Sequence, residues 1–248
     1  MVNFYKYASP TSFYPLAGKM IPWFAALALL LAVAGLYVSF FVAPTDYQQG
    51  ESYRIIFLHV PAAWMGMFIY LVMAVYAVLA LAYNTRLSAM MIQALAPTGA
   101  MFTAIALWTG ALWGTPTWGA WWVWDARMTS TLILLFLYLG YIALDNAIED
   151  RRRADKAGAL LVLVGTVNVP IIYFSVKWWN TLHQGASISL TTAPKMAQIM
   201  LTGMLIMTFA CWMYAIAISL ARVRGIILER EKNTQWVDQI VATETKRA

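Results

Sequence analysis

Residues 56–82 read IFLHVPAAWMGMFIYLVMAVYAVLALA, a run with no Asp, Glu, Lys or Arg and a single imidazole, His59, near its start. As a helix rising about 1.5 Å per residue it outreaches the ~30 Å hydrocarbon core of a bilayer, which about 20 mainly apolar residues suffice to cross. The run therefore predicts a transmembrane helix. Outward along the chain, residues 22–43, 89–112, 128–147, 157–178 and 196–221 meet the same test, which makes six spans. The linkers are short, so the expected fold is an all-α integral membrane protein. Its six-transmembrane-helix bundle forms a single membrane domain over residues 1–248, with a tail from 222 to 248.

Composition supports that reading. Hydrophobic residues make up 62% of the chain and charged residues 11%, against about 45–50% and about 25% in ordinary soluble proteins. No large soluble domain fits beside six spans. The only cysteine, Cys211, lies in the apolar run Leu205–Ala217, which excludes an internal disulfide, a Cys-x-x-Cys redox pair and a c-type haem attachment motif. Pro97 and Pro170 fall inside spans and each removes a backbone donor, so each should kink its helix. No apolar signal core precedes Ile21, so the first span reads as an uncleaved anchor. The tail after Arg222 is polar and mixed in charge and reads as a solvated extension, with a helix as one option and no assignable motif.

Positive charge orients the bundle. With both termini cytoplasmic, that side holds Lys6, Lys19, Arg86, Arg151, Arg152, Arg153, Lys156, Arg222, Arg224, Arg230, Lys232, Lys246 and Arg247. The other side keeps Arg54, Arg127, Lys177 and Lys195. Thirteen of the 17 Lys and Arg on one side is a strong positive-inside signal, and an even number of spans agrees with it.

The chemistry concentrates on the opposite face. Residues 113–127 read WGTPTWGAWWVWDAR and hold five of the chain's 12 tryptophans: Trp113, Trp118, Trp121, Trp122 and Trp124. An interfacial aromatic belt accounts for Trp23, Trp64, Trp178 and Trp212, but a belt spreads its anchors over several helix ends. Trp118, Trp121, Trp122 and Asp125 stand at i, i+3, i+4 and i+7, one face of a helix. Gly114, Pro116 and Gly119 argue against an earlier start, so the spacing predicts a loop at 113–117 and then a short interfacial helix. Asp125 and Arg127, two residues apart, should not face each other there. Both histidines lie on this face, His59 at the outer end of the second span and His183 between the fifth and sixth. Haem suits these parts together: its iron accepts neutral imidazole, its plane suits indole faces, and its propionates suit arginine forks. Arg54 and Arg127 are the arginines for that rim, with Lys177 a weaker candidate.

The segment Trp113-Gly114-x-x-x-Trp118-Gly119-x-Trp121-Trp122-x-Trp124-Asp125-x-Arg127 resembles the WWD signature of the haem-handling superfamily. Six spans, this length and one flanking histidine on each side resemble, within it, the cytochrome c maturation protein C (haem exporter protein C) family. The resemblance covers most of the chain. It implies a haem b site on the periplasmic face of the bacterial inner membrane, with His59 and His183 as axial ligands. It also implies a task in c-type cytochrome biogenesis: delivering haem to a membrane-tethered chaperone, cytochrome c maturation protein E, which captures it covalently through its own histidine. An ATPase subunit, a second membrane subunit and a small single-span subunit of an ABC-type complex are the implied partners, beside the lipid bilayer. No nucleic-acid partner is expected. The chain has no P-loop, as fits a complex that hydrolyses ATP elsewhere.

Other classes fit less of the sequence. A membrane oxidoreductase of cytochrome b or quinone-reactive type is the alternative, but no inner-side histidine exists for a second centre. A permease for polar solutes should mark its path with intramembrane ionisable residues, and Asp145 and His59 sit at span ends. No Ser–His–Asp set, thiolate pair or carboxylate dyad marks an independent enzyme. Asp125 is left with two readings, an orienting acceptor or a cap on local backbone.

Overall fold

A computed structural model describes residues 7–183, 194 and 196–245. Among them the chain is helical, its one β-type contact being the isolated bridge Asp46–Gly50. The helices are α1 (Pro10–Tyr37), α2 (Ile56–Tyr83), α3 (Arg86–Trp118), α4 (Ala126–Ala147), α5 (Arg151–Gly165), α6 (Asn168–Trp178), α7 (Gln198–Arg230) and α8 (Gln235–Thr245). Counting α5 and α6 as one, six segments are long and apolar enough to cross a membrane. Lys6, Lys195, Lys246 and Arg247, all used in the charge count, lie outside the described residues.

α3 is the axis of the bundle and α1 its outrider. In their apolar windows 67% of α3 is buried but 17% of α1, which leans mainly on α7. Small residues let the helices close on α3: a Cβ added to Gly99 would lie 2.2 Å from the Tyr138 ring, so only glycine fits beneath it. The Tyr138 hydroxyl then donates to the Gly66 carbonyl at 2.7 Å, joining α4 to α2 in the buried core with its polar atom satisfied. Asn84, in the left-handed region at φ 51°, ends α2 and starts the short turn into α3.

The backbone sharpens one expectation about the spans and corrects another. The bend expected at Pro170 is a full break, and the fifth span is two helices. Proline's ring clashes with the carbonyl four residues back, which for Pro170 belongs to Thr166, and that carbonyl accepts from Val169 instead. Buried Asn168 ties the break to α4, donating to the Ser130 carbonyl at 2.9 Å. α3, by contrast, runs unbroken through Pro97. The tail is not a solvated extension: α7 continues to Arg230, and Val223, Ile226 and Ile227 are buried against Tyr14, Leu87, Met90 and Met91. These apolar positions repeat at i, i+3 and i+4, a helical core stripe interleaved with charges that dominate a polarity count.

Charged groups close the bundle at this end. Arg230 pairs with Asp155 at 2.9 Å, donates to Gln93 at 2.7 Å and lies 3.9 Å from buried Asp145, which Arg151 approaches at 3.6 Å. Arg86 meets buried Glu231 at 2.8 Å. The histidines and the tryptophan segment gather at the opposite end.

Candidate functional site

The tryptophan segment folds differently from its spacing. α3 carries on through Trp113 and Pro116 to Trp118, and Gly119, at φ 75°, stops it in the left-handed conformation that glycine adopts without strain. Residues 119–125 form no helix, so the expected interfacial helix over Trp118–Asp125 is absent. The reason is Asp125. Its backbone is extended and its Oδ1 accepts from the Met128 amide at 2.8 Å, so it caps α4 and cannot sit inside a preceding helix.

The same carboxylate reaches across the chain. Asp125 Oδ2 lies 2.8 Å from Nδ1 of His183, 58 positions away, and both side chains are largely buried. A carboxylate only accepts, so Nδ1 carries the proton and Nε2 keeps its lone pair. Burial pushes the His183 pKa below its ordinary 6.5, the Asp125 bond and charge oppose that, and nearby Arg127 adds to it. The ring is a neutral imidazole at pH 7.

His59 reaches the same state by a different bond. Its Nδ1 is 3.0 Å from Thr109 Oγ1. That hydroxyl's single proton points to the Ile105 carbonyl at 2.6 Å, within α3. Thr109 must therefore accept, His59 Nδ1 donates, and Nε2 is again the free nitrogen. Both histidines line one small cavity of about 30 Å³, with Arg127, Met128, Thr103 and Ala106. A space of about 30 Å³ is one water molecule's share of liquid volume. The donor set fits haem, with two neutral imidazoles and an arginine on one cavity, but a porphyrin between them requires the α2–α3 wall to part from the His183 wall.

The tryptophans take different posts. Trp113 sets its ring edge-on to His59, centroids 5.8 Å apart, and donates Nε1 to Gln49 at 2.7 Å. Trp118 stands edge-on to His183 at 4.7 Å. Trp121 and Trp124 are 52% and 74% exposed and form an outer rim, Trp121 beside Trp108 and Trp124 against Trp122. Trp122 Nε1 is buried and has no hydrogen-bond partner among the described residues.

The structure thus brings His59, His183 and Arg127 onto one cavity and sets Asp125, Trp113 and Trp118 against the two rings. Asp125 and Arg127 form no ion pair among the described residues, although Asp125 is the cap of α4 and does not share a helix with Arg127 as the i, i+2 spacing assumed. Arg54 lies outside the cavity lining. It pairs with Glu51 and donates to the Ser39 and Ala43 carbonyls, closing the π-helical turn Val38–Val42 after α1. Lys177 sits 5.7 Å over the Phe174 ring, also away from the cavity. Thr109, Gln49 and Trp108 escaped sequence reasoning. One signal pointed to Thr109: it and His59 are equally far along the chain from Asn84, so a tight α2–α3 hairpin sets them side by side.

Residues 3–238 match the family model described as Heme exporter protein C. The chain is 46% identical over 235 residues to Heme exporter protein C of Escherichia coli (strain K12), covering 94% of each. It is 44% identical to the protein of that name from Haemophilus influenzae, covering 96% of each. To that of Bradyrhizobium diazoefficiens it is 46% identical, covering 90% of this chain and 84% of the relative.

Proposed function

The chain belongs to the Heme exporter protein C family, and from that premise we propose that it holds haem b between His59 and His183 and hands it to a haem chaperone during c-type cytochrome biogenesis. The observation that carries the reading is the matched state of the two imidazoles. Each is pinned through Nδ1–H, to Thr109 and to Asp125, which leaves the ring lone pair on Nε2, and both histidines line the same cavity.

Haem would supply a redox-active, Lewis-acidic iron and two carboxylates. His59 and His183 would hold the iron through Nε2. Arg127, on the cavity, would face the carboxylates with its planar fork, whereas Arg54 is taken up by Glu51 and the turn after α1. Trp113 and Trp118 hold the imidazole rings edge-on. The exposed Trp121 and Trp124 form the rim from which the chaperone, cytochrome c maturation protein E, would take its cargo. The Nε1–H of Trp122, buried and without a partner among the described residues, suits a haem carboxylate.

The site would face the periplasm, with both termini in the cytoplasm, because thirteen of 17 basic residues lie on the other side of the spans. An ATPase subunit, a second membrane subunit and a small single-span subunit would complete an ABC-type complex in the inner membrane. The chain's own part is positioning and ligation.

The deciding measurement is an absorption and resonance Raman spectrum of the complex for wild type, His59→Ala and His183→Ala. Wild type should show a six-coordinate bis-imidazole haem, and each variant a changed axial ligand set. Unchanged spectra in either variant would remove that histidine from the site, and no Soret band in wild type supplied with haem would remove the function.

A further inference from the structure

Far from the histidines, α7, α1 and α3 leave a groove of about 520 Å³ between them. Its floor is a stripe of α7 that includes Ala210, Tyr214, Ala217 and Ala221. One wall is α1 from Ile21 to Ala32, the other Phe102 of α3. Its surface is almost wholly apolar. The groove does not run the length of the helices: α1 and α7 close on each other at both ends, Gly35 against Met207 and Gly18 against Arg224.

The end toward Gly18 is charged. Continuing the α7 stripe one turn past Ala221 brings Gly225, where an added Cβ would meet nothing within 4 Å. Arg224 and Arg222 flank that open position, each about 80° from the stripe's centre at 100° per residue. Neither has a carboxylate partner among the described residues. Arg224 lies 4.2 Å over the Tyr14 ring, and its Nε is buried without a hydrogen-bond partner among the described residues. Among the described residues Arg222 donates to the Ala94 carbonyl at 2.6 Å and to Thr98 Oγ1 at 2.9 Å. Lys19 follows Gly18 on the facing helix. Every other arginine near this end has an acidic partner or a solvent-exposed place, as Arg86, Arg151 and Arg230 show.

We propose that this groove holds one anionic phospholipid, its phosphate seated over Gly225 between Arg222 and Arg224 and an acyl chain along the alanine floor. A partly buried guanidinium without a counter-ion calls for an anion, and guanidinium forks match phosphate oxygens. The apolar groove adjoining it calls for hydrocarbon. A partner's transmembrane helix fits the groove less well, because it needs about 30 Å of track where Ile21 to Ala32 offers only about 16 Å. Bound there, the lipid braces α1, the least buried helix, against the bundle.

The test uses the full chain reconstituted in phosphatidylcholine vesicles containing a minor fraction of phosphatidylglycerol, then extracted and weighed intact by native mass spectrometry. Wild type should retain one phosphatidylglycerol, enriched at least tenfold over its share of the vesicle. Arg222→Gln/Arg224→Gln should lose the enrichment, and Arg222→Lys/Arg224→Lys should keep most of it, which separates charge from misfolding. Ala25→Phe/Ala221→Phe, at two exposed positions that line the groove, should lose the lipid with both arginines in place. Retention in proportion to vesicle composition in wild type would overturn the proposal. So would displacement of the bound species by inorganic phosphate alone. Retention of the phosphatidylglycerol by the groove-filled variant would overturn it as well.

Discussion

Asp125 does two jobs with two oxygens, and they can be separated. Asparagine is as good an N-cap as aspartate but is a neutral, weaker acceptor for His183. Asp125→Asn should therefore leave the thermal midpoint nearly unchanged and weaken haem binding about 10- to 100-fold, the usual penalty for losing an outer-shell orienting group. Asp125→Ala should lose the cap as well, about 1 kcal/mol. Thr109→Val, isosteric without the acceptor, should weaken haem binding in the same range by freeing His59 to change tautomer. Haem titrations beside thermal unfolding scans decide all three. The buried imidazole also sets a pH dependence. Burial holds the His183 pKa below 6.5 in the folded protein, so the unfolded chain binds more protons as pH falls through that value. His183's contribution to stability is complete above about pH 6.5 and is lost on acidification toward its folded pKa. Unfolding scans of apo-protein from pH 8 to 5 should show a steeper acid loss than His183→Gln; equal slopes would refute it. The Asp125–His183 partnership could not be read from the sequence, because the two are joined only by how α4 and the end of α6 pack, whereas the equal spacing of His59 and Thr109 from Asn84 hinted at theirs. The sequence did show Asp125's short-range role as one of two options, since a cap involves only its own next three residues.

At the scale of the element, Gly119 decides where the tryptophans go. It ends α3 at φ 75°, a conformation that costs an L-residue about 1–2 kcal/mol. Gly119→Ala should destabilise by about 1 kcal/mol and turn Trp121–Asp125 away from the histidines. Gly119→Asn, which tolerates the left-handed region better, should recover most of both. Tryptophan fluorescence with haem occupancy would distinguish them; equal behaviour of the two variants would show that the turn does not matter. The i, i+3, i+4, i+7 pattern was real but belonged to no helix. Trp118 lies on one helix, Asp125 at the cap of the next, and a single glycine conformation between them breaks the period. The π-helical end of α1 shows the same limit. It is held by Arg54, whose partners Ser39 and Ala43 lie in another element.

For the molecule as a whole, the charged cluster at the end opposite the histidines holds α3, α4, α5 and α7 together. Arg230 is its hub, facing Asp155, Asp145 and Gln93. Removing one partner of a buried set leaves the others uncompensated, at a cost of about 3–5 kcal/mol. Arg230→Met should therefore lower the denaturation midpoint sharply, and adding Asp155→Asn should recover part of the loss. An unchanged midpoint in the single variant would show the cluster to be solvated. The six spans, the helical class, the signature tryptophans and the two histidines were all determined by the sequence alone. Hydropathy sums over some twenty neighbouring residues, and neighbours in the chain remain neighbours in any fold. Only the tertiary structure decided that His59 answers to Thr109, that His183 answers to Asp125, that Arg127 rather than Arg54 lines their cavity, and that two arginines of α7 flank an open groove. Those facts depend on the rotation and tilt of each helix against the next, set by close approaches such as Tyr138 over Gly99, and no local sum contains them.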